Sequence, residues 1–235
     1  MNDIRSALSI ERGDKVTRLE AFVDAAFAFS VTLLVISGDN APTSIALLKE
    51  AIKQIPTYAA SFVVIMQIWM NHADWSRRFG LNDAVSERLS LLLVFVLLIF
   101  VYPLKMVFGS FFAMISGGYL PAQFNINAWQ EVPVLFQTFA MGFGGMALIV
   151  CLLFWRAVQL APALHFSAEE VGYAKHKRLM WAMVVVFSII SFLLAIYIPA
   201  TPASGVWIGM PGFIFFGLNI VQIILRWRYN KKVSA

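Results

Sequence analysis

Six stretches of the chain stay apolar for the length a helix needs to cross a bilayer. They run approximately over 21–37, 55–75, 89–112, 132–155, 179–198 and 206–227, each near the roughly 20 residues that span a hydrocarbon core. Runs such as the LSLLLVFVLLIFVY of 89–102 are apolar on every face and do not alternate with period two. That excludes the strand pattern of a membrane barrel and predicts helices. The six stretches take up most of the chain, so residues 1–235 form a single transmembrane domain with no segment left for a separate soluble core. The fold class expected is an all-α polytopic membrane protein.

Composition agrees with the pattern. The chain is 60% hydrophobic and 13% charged, well beyond the apolar share of an average soluble domain. The net charge of +5 arises from basic residues spread over separate connections, which is a sign of topology and not of a nucleic-acid-binding face. Arg5, Arg12, Lys15 and Arg18 precede the first stretch. Arg77, Arg78 and Arg88 lie between the second and third, Arg156, Lys175, Lys177 and Arg178 between the fourth and fifth, and Arg226, Arg228, Lys231 and Lys232 after the sixth. Only Lys49, Lys53 and Lys105 fall on the other side. Positive residues accumulate in cytoplasmic connections, so both termini are expected in the cytoplasm of a multi-pass protein of the cell (inner) membrane. No cleavable signal peptide is expected, because residues 1–20 are charged. Cys151 is the single cysteine, which rules out an intrachain disulfide.

Candidate chemistry is sparse. No HExxH, cysteine pair or phosphate-binding glycine loop occurs. His165 stands four and five residues before Glu169 and Glu170, a weak metal pattern beside the plainer reading of a loop helix capped by Ser167. No cofactor and no enzymatic activity are expected, since no nucleophile, base and metal set converges at one depth. Gly142, Gly144, Gly145 and the GVWIG of 205–209 are candidate points of close helix approach. Two polar side chains stand out in the first stretch. Asp24 lies just inside it, where an unpartnered carboxylate costs about 2.5–3.5 kcal/mol, and Thr32 lies near its middle. Asp24 therefore needs a donor, unless it snorkels to interfacial water. Arg18, six residues away and about 240° around the helix, is poorly placed to be that donor. Trp69 and His72 sit at a matching depth.

The first three stretches together resemble the transmembrane protein 175 family, the potassium channels of endolysosomes and their prokaryotic relatives. Arg18, Phe22, Asp24 and Ala25 fit the family's Arg-x-x-x-Phe-Ser-Asp pattern, followed by the TLLV of 32–35. Tyr58, Ser61, Phe62, Trp69 and His72 fit its second helix, and the leucine-rich run ending at Pro103 its third. The last three stretches correspond only in number and placement. The resemblance implies a single-repeat, six-helix subunit of a homotetramer in the lipid bilayer, conducting monovalent cations with a preference for potassium. The first helix would line a central pore, with Ala25, Phe29, Thr32 and Ile36 along one stripe. Thr32 would then form a hydroxyl ring, and Phe29 and Ile36 apolar constrictions. Arg18, Asp24, Trp69 and His72 would form a structural polar cluster. The chain departs from the pattern at Phe29, where the family has isoleucine or leucine, at Val23, where it has serine, and at Ser90, where asparagine is frequent. Other readings kept open are a Thr32 hydroxyl that merely bonds the carbonyl one turn back near Ala28, a proton-conducting relay through His72 and Asp24, and a non-conducting protein closed by Phe29.

Overall fold

The computed structural model describes residues 16–36, 42–122 and 128–233. The described residues form α-helices and one 3₁₀ segment, with no strand among them. In chain order they are α1 (Arg18–Ile36), α2 (Ile45–Lys53), α3 (Ile55–Phe79), α4 (Ala84–Ile115), α5 (Glu131–Leu160), α6 (Ala168–Tyr197), the 3₁₀ turn Pro202–Gly209 and α7 (Met210–Val233). Arg5, Arg12, Lys15 and the predicted span end at Ser37 lie outside the described residues.

Local chemistry explains the boundaries. Thr17 and Glu20 form a reciprocal capping box at the start of α1, with the Thr17 N–H donating to Glu20 Oε2 at 2.9 Å and the Glu20 N–H to Thr17 Oγ1 at 3.1 Å. Ser44 caps α2 by accepting from the Leu47 N–H at 3.2 Å. Gly80, at φ 57° and ψ 32°, takes the left-handed conformation that ends α3. Asp83 caps α4. Ser167 and Glu170 form a second capping box at the start of α6, so the cap expected at Ser167 opens α6 itself. Pro103 neither ends α4 nor stops it short of Ile115.

Four helices, α4, α5, α6 and the stretch Trp207–Lys231, are long and apolar enough to cross a membrane. The other two apolar stretches of the sequence overlap α1 and α3. The helices outrun the predicted stretches, most of all at the connection read as a loop over 156–178. There α5 continues to Leu160 and α6 begins at Ala168. The outward surfaces are lined with large apolar side chains such as Phe95, Ile99, Ile189, Leu193, Ile220 and Ile223, which water would not stabilise and acyl chains do.

Contacts between distant residues show that the long helices alternate in direction. At one end the start of α1 meets the late part of α3 through Asp24 and Trp69. At that end too, the start of α4 meets the end of α5 through Asp83 and Arg156, and the end of α3 meets the start of α6 through Asp74 and Tyr173. There the His176 ring of α6 also stacks at 4.3 Å on Tyr229, late in α7. At the opposite end Lys53 of α2 lies over the Tyr119 ring after α4, and Lys105 of α4 over the Tyr58 ring of α3. α1 and α7 therefore start and finish, respectively, at the same end, where most of the described basic residues also gather.

The core is built on α5, which packs against α4 and α6, with α1 laid against α3 and α4. Glycine makes two of these approaches. A Cβ on Gly142 would stand 2.1 Å from Phe100 Cδ2, and one on Gly144 would stand 2.7 Å from Ser188 Cβ. Gly145 has ordinary room, with Val96 at 4.0 Å. Two buried hydroxyls satisfy themselves within their own helix, Ser30 on the Ala26 carbonyl and Ser61 on that of Thr57, both at 2.8 Å, while Ser191 reaches the Pro211 carbonyl at 2.7 Å. The Trp75 indole likewise reaches across to the Leu153 carbonyl of α5 at 2.9 Å.

Candidate functional site

α1 has two unlike faces. Val23, Phe27, Ser30 and Leu34, spaced by four, three and four, are buried against α3 and α4. Ala25, Phe29 and Thr32 repeat that spacing two residues on, about 200° around the helix, and are exposed, Phe29 to 56%. Ile36, the last residue of the helix, continues the spacing, and its side chain is outside the described residues. The face opposite the core is thus open over its described length and is not consumed within the subunit.

Thr32 Oγ1 donates to the Phe29 carbonyl at 2.7 Å. The plain expectation of a bond one turn back therefore holds in kind, with Phe29 and not Ala28 as the acceptor. The hydroxyl proton is committed to the backbone, and the oxygen lone pairs on this exposed side chain are left as the outward-facing chemistry.

The expected polar cluster divides into two bonds. The Trp69 Nε1–H donates to Asp24 Oδ1 at 2.8 Å, tying α1 to α3. His72 Nε2 shares a hydrogen bond with Ser90 Oγ at 3.0 Å, tying α3 to α4, and the imidazole is buried beside the Trp75 ring at 5.7 Å. Ser90, where the family pattern often has asparagine, is the partner that His72 uses. Arg18 is exposed in the first turn and belongs to neither bond.

A larger network at the same end escaped the sequence reading. Asn71 Oδ1 accepts from Lys177 Nζ at 2.9 Å and from the Trp181 indole at 3.3 Å, while its amide donates to the Gln67 carbonyl at 2.7 Å. One turn further along α3, Asp74 pairs with Arg78 at 2.7 Å, accepts from the Tyr173 hydroxyl and lies 3.8 Å from Lys177. Arg78 also stacks over the Tyr173 ring at 4.2 Å. Asp83 accepts from Ser86 Oγ at 2.6 Å and pairs with Arg156 at 3.0 Å. Partial burial would raise the Asp83 pKa, but the hydrogen bonds from Ser86, Arg156 and the Val85 N–H outweigh it and hold the carboxyl below the ordinary carboxylate value. The i, i+3 and i, i+4 spacings along α3 were visible in sequence. Their partners on α6 were not, because that stretch read as a connection with a capped helix that nothing in the sequence placed against α3.

The weak metal pattern does not assemble. Glu170 is spent on the Ser167 N–H at 2.7 Å, His165 sits in a positive-φ turn, and no group of three or more ligating side chains suited to a metal occurs among the described residues.

Alternating apolar helices around a glycine-assisted core, with one helix keeping a patterned face open, define a polytopic helical membrane protein. Residues 18–103 match the family described as endosomal/lysosomal potassium channel TMEM175, and they cover α1, the Asp24–Trp69 bond and the His72–Ser90 bond. A protein of Marivirga tractuosa named potassium channel is 30% identical over 167 residues, which is 68% of this chain and 66% of that protein. The chain thus spans just under two thirds of the length of this curated relative. The fold is also similar to a crystal structure of a variant of the potassium channel MtTMEM175 in complex with a nanobody–MBP fusion protein. The TM-score there is 0.80 at 25% identity, covering 94% of this chain and 96% of that one.

Proposed function

We propose that the chain is one subunit of a potassium-preferring cation channel in the cell membrane. In this reading all six apolar stretches cross the bilayer, both termini face the cytoplasm, and four copies surround an axis lined by α1. The observation that carries it is the open stripe of Ala25, Phe29 and Thr32 on the side of α1 turned away from the core. Four Thr32 side chains would present oxygen lone pairs to a partly dehydrated cation, and Phe29 and Ile36 would form apolar constrictions that hinder ion passage by expelling water. Asp24, Trp69, His72 and Ser90 hold the helix and do not bind the ion. Relatives named potassium channels support the choice of ion.

The test is flux from vesicles loaded with potassium or sodium, with subunits counted in detergent. Thr32→Ala is expected to lower the potassium-to-sodium ratio and Phe29→Ala to increase leak. An unchanged ratio removes the hydroxyl ring. A monomeric chain with no flux removes the pore. A proton relay gains no support, because His72 bonds Ser90 while Asp24 bonds Trp69.

A further inference from the structure

Helix α2 has no counterpart among the elements expected from the sequence, and none of its residues is buried. Its sequence, IALLKEAIK, is nonetheless sorted by face. At 100° per residue, Ile45, Leu48 and Ile52 fall within about 60° of one another, with Ala51 and Leu47 beyond them, while Lys49, Glu50 and Lys53 occupy the other side. A helix of nine residues is too short to persist by propensity alone, so an apolar face left uncovered calls for something to cover it.

The polar side is the one that meets the protein. Lys53 Nζ bonds Glu50 at 2.8 Å and lies 5.0 Å from the centroid of the Tyr119 ring, in the segment that follows α4. That contact turns the Ile45, Leu48 and Ile52 face away from the bundle. Large apolar side chains are also exposed on α3, at Ile55 at its start and at Phe62 and Val63 two turns on. A single residue, Gln54, separates the two helices.

The geometry points to α2 as an interfacial anchor. It lies along the bilayer surface at the end of the bundle opposite the basic residues, its apolar face in the acyl boundary and Lys49 at the level of the lipid phosphates. A bilayer is favoured over a second copy because exposed large apolar side chains recur from α2 along the chain into α3, as a surface in contact with acyl chains requires. The anchor stands in sequence between α1 and α3, so it ties the far end of α1 to the plane of the membrane. The inference rests on the membrane-spanning reading and not on conduction.

Single cysteines in a Cys151→Ser background, at Leu48, Ile52 and Glu50, with Val63 as a site on the lipid-facing side of α3, are labelled with a nitroxide. Collisions with oxygen and with a water-soluble nickel chelate are then measured in phosphatidylglycerol-containing vesicles. Labels at 48 and 52 are expected to favour oxygen over nickel, as at 63, and the label at 50 to favour nickel. Labels at 48 and 52 that favour nickel, or that are shielded from both reagents by a neighbouring subunit, overturn the anchor while leaving the result at 63 intact. A label at 63 that favours nickel overturns the membrane-spanning reading on which the anchor rests. Each labelled side chain is exposed, so folding is expected to be retained, and Ile45→Cys provides a further site on the same face.

Discussion

The bond between Trp69 and Asp24 joins the open helix to the body of the subunit, and its strength can be isolated. Trp69→Phe removes the indole N–H while keeping an aromatic ring, and Asp24→Asn removes the charge while keeping an acceptor oxygen. A hydrogen bond to an ionised group contributes about 1.5–3 kcal/mol. At 2.8 Å the geometry is good, but Asp24 is exposed in the single subunit, so water competes and about 1–1.5 kcal/mol is the reasonable share. Trp69→Phe also loses packing, because Trp69 is half-buried, and a double-mutant cycle is needed to separate the two losses. The four proteins are unfolded by heat in detergent at one protein concentration, followed by circular dichroism because the substitution removes a fluorophore. At about 2–4 °C per kcal/mol for a chain of this size, Trp69→Phe should lower the midpoint by several degrees. The double variant should lose about 1 kcal/mol less than the sum of the singles. Asp24→Leu, with no acceptor, should be worse than Asp24→Asn, since charge-assisted bonds are about twice as strong as neutral ones and no bond is weaker still. Strict additivity would show that the pair does not hold α1, and the account of Asp24 as a structural group would fail.

Other expectations concern the body of the bundle. Gly142→Ala should cost about 1–3 kcal/mol, because its Cβ would enter the Phe100 ring. Gly145→Ala, with open space, should be neutral or stabilising through helix propensity; thermal midpoints compare the two, and equal losses would refute the close approach. The Asp83–Arg156 pair should contribute less than about 1 kcal/mol, since both side chains are 27% exposed. The Asp83 pKa is depressed in the folded state, so this contribution is full above the ordinary carboxylate pKa and is lost as pH falls through the lower folded value. Arg156→Met should therefore flatten the acid limb of a stability–pH curve, and an unchanged limb would count against the pair. Asn71→Leu should cost about 1–3 kcal/mol by leaving Lys177 and the Trp181 indole without their shared acceptor, read in the same unfolding assay.

What could be read in advance followed from residues that are costly where they stand. A carboxylate inside an apolar run demands a donor, so the sequence pointed from Asp24 to Trp69 and His72, of which Trp69 bonds it and His72 bonds Ser90 instead. The spacing of Ala25, Phe29 and Thr32 placed them on one face, but only packing could tell that this face is the open one. The bond between His72 and Ser90 could not be read from either residue alone, because nothing in the spacing of the two stretches sets which serine of α4 faces the imidazole. The Asn71 and Asp74 network was hidden because Tyr173 and Lys177 fell in a stretch whose charges suggested a loop, although Ser167 and Glu170 already spelled a capping box. α2 was hidden by its length, since nine residues between two long apolar runs read as a connection even with Ser44 as cap and Ile45, Leu48 and Ile52 in helical register. Pro103 could have ended α4 or been carried through it, and neighbouring helices decide such cases.

The composition of the open face of α1 argues for what should cover it. Surfaces of this chain that suit acyl chains are bulky, as on α6 with Ile189, Leu193 and Ile196, or on α7 with Phe216, Ile220 and Ile223. The exposed side of α1 instead interleaves Ala21, Ala25 and Ala28 with Phe22, Phe29 and Thr32 and begins beside the carboxylate of Asp24. Small residues bring little apolar area to lipid but let another helix come near. A charge and a hydroxyl on the same side are costly in hydrocarbon, and more so the deeper they sit. Both features lose their cost if the face looks onto copies of itself around water, with the small residues setting how near the copies approach and Phe29 how narrow the passage between them becomes. Under the proposed pore the same logic would account for α1 being fastened to α3 and α4 by one buried stripe and by a hydrogen bond near its first turns. A helix that must present an unfavourable face at a fixed angle cannot rely on that face for its own stability.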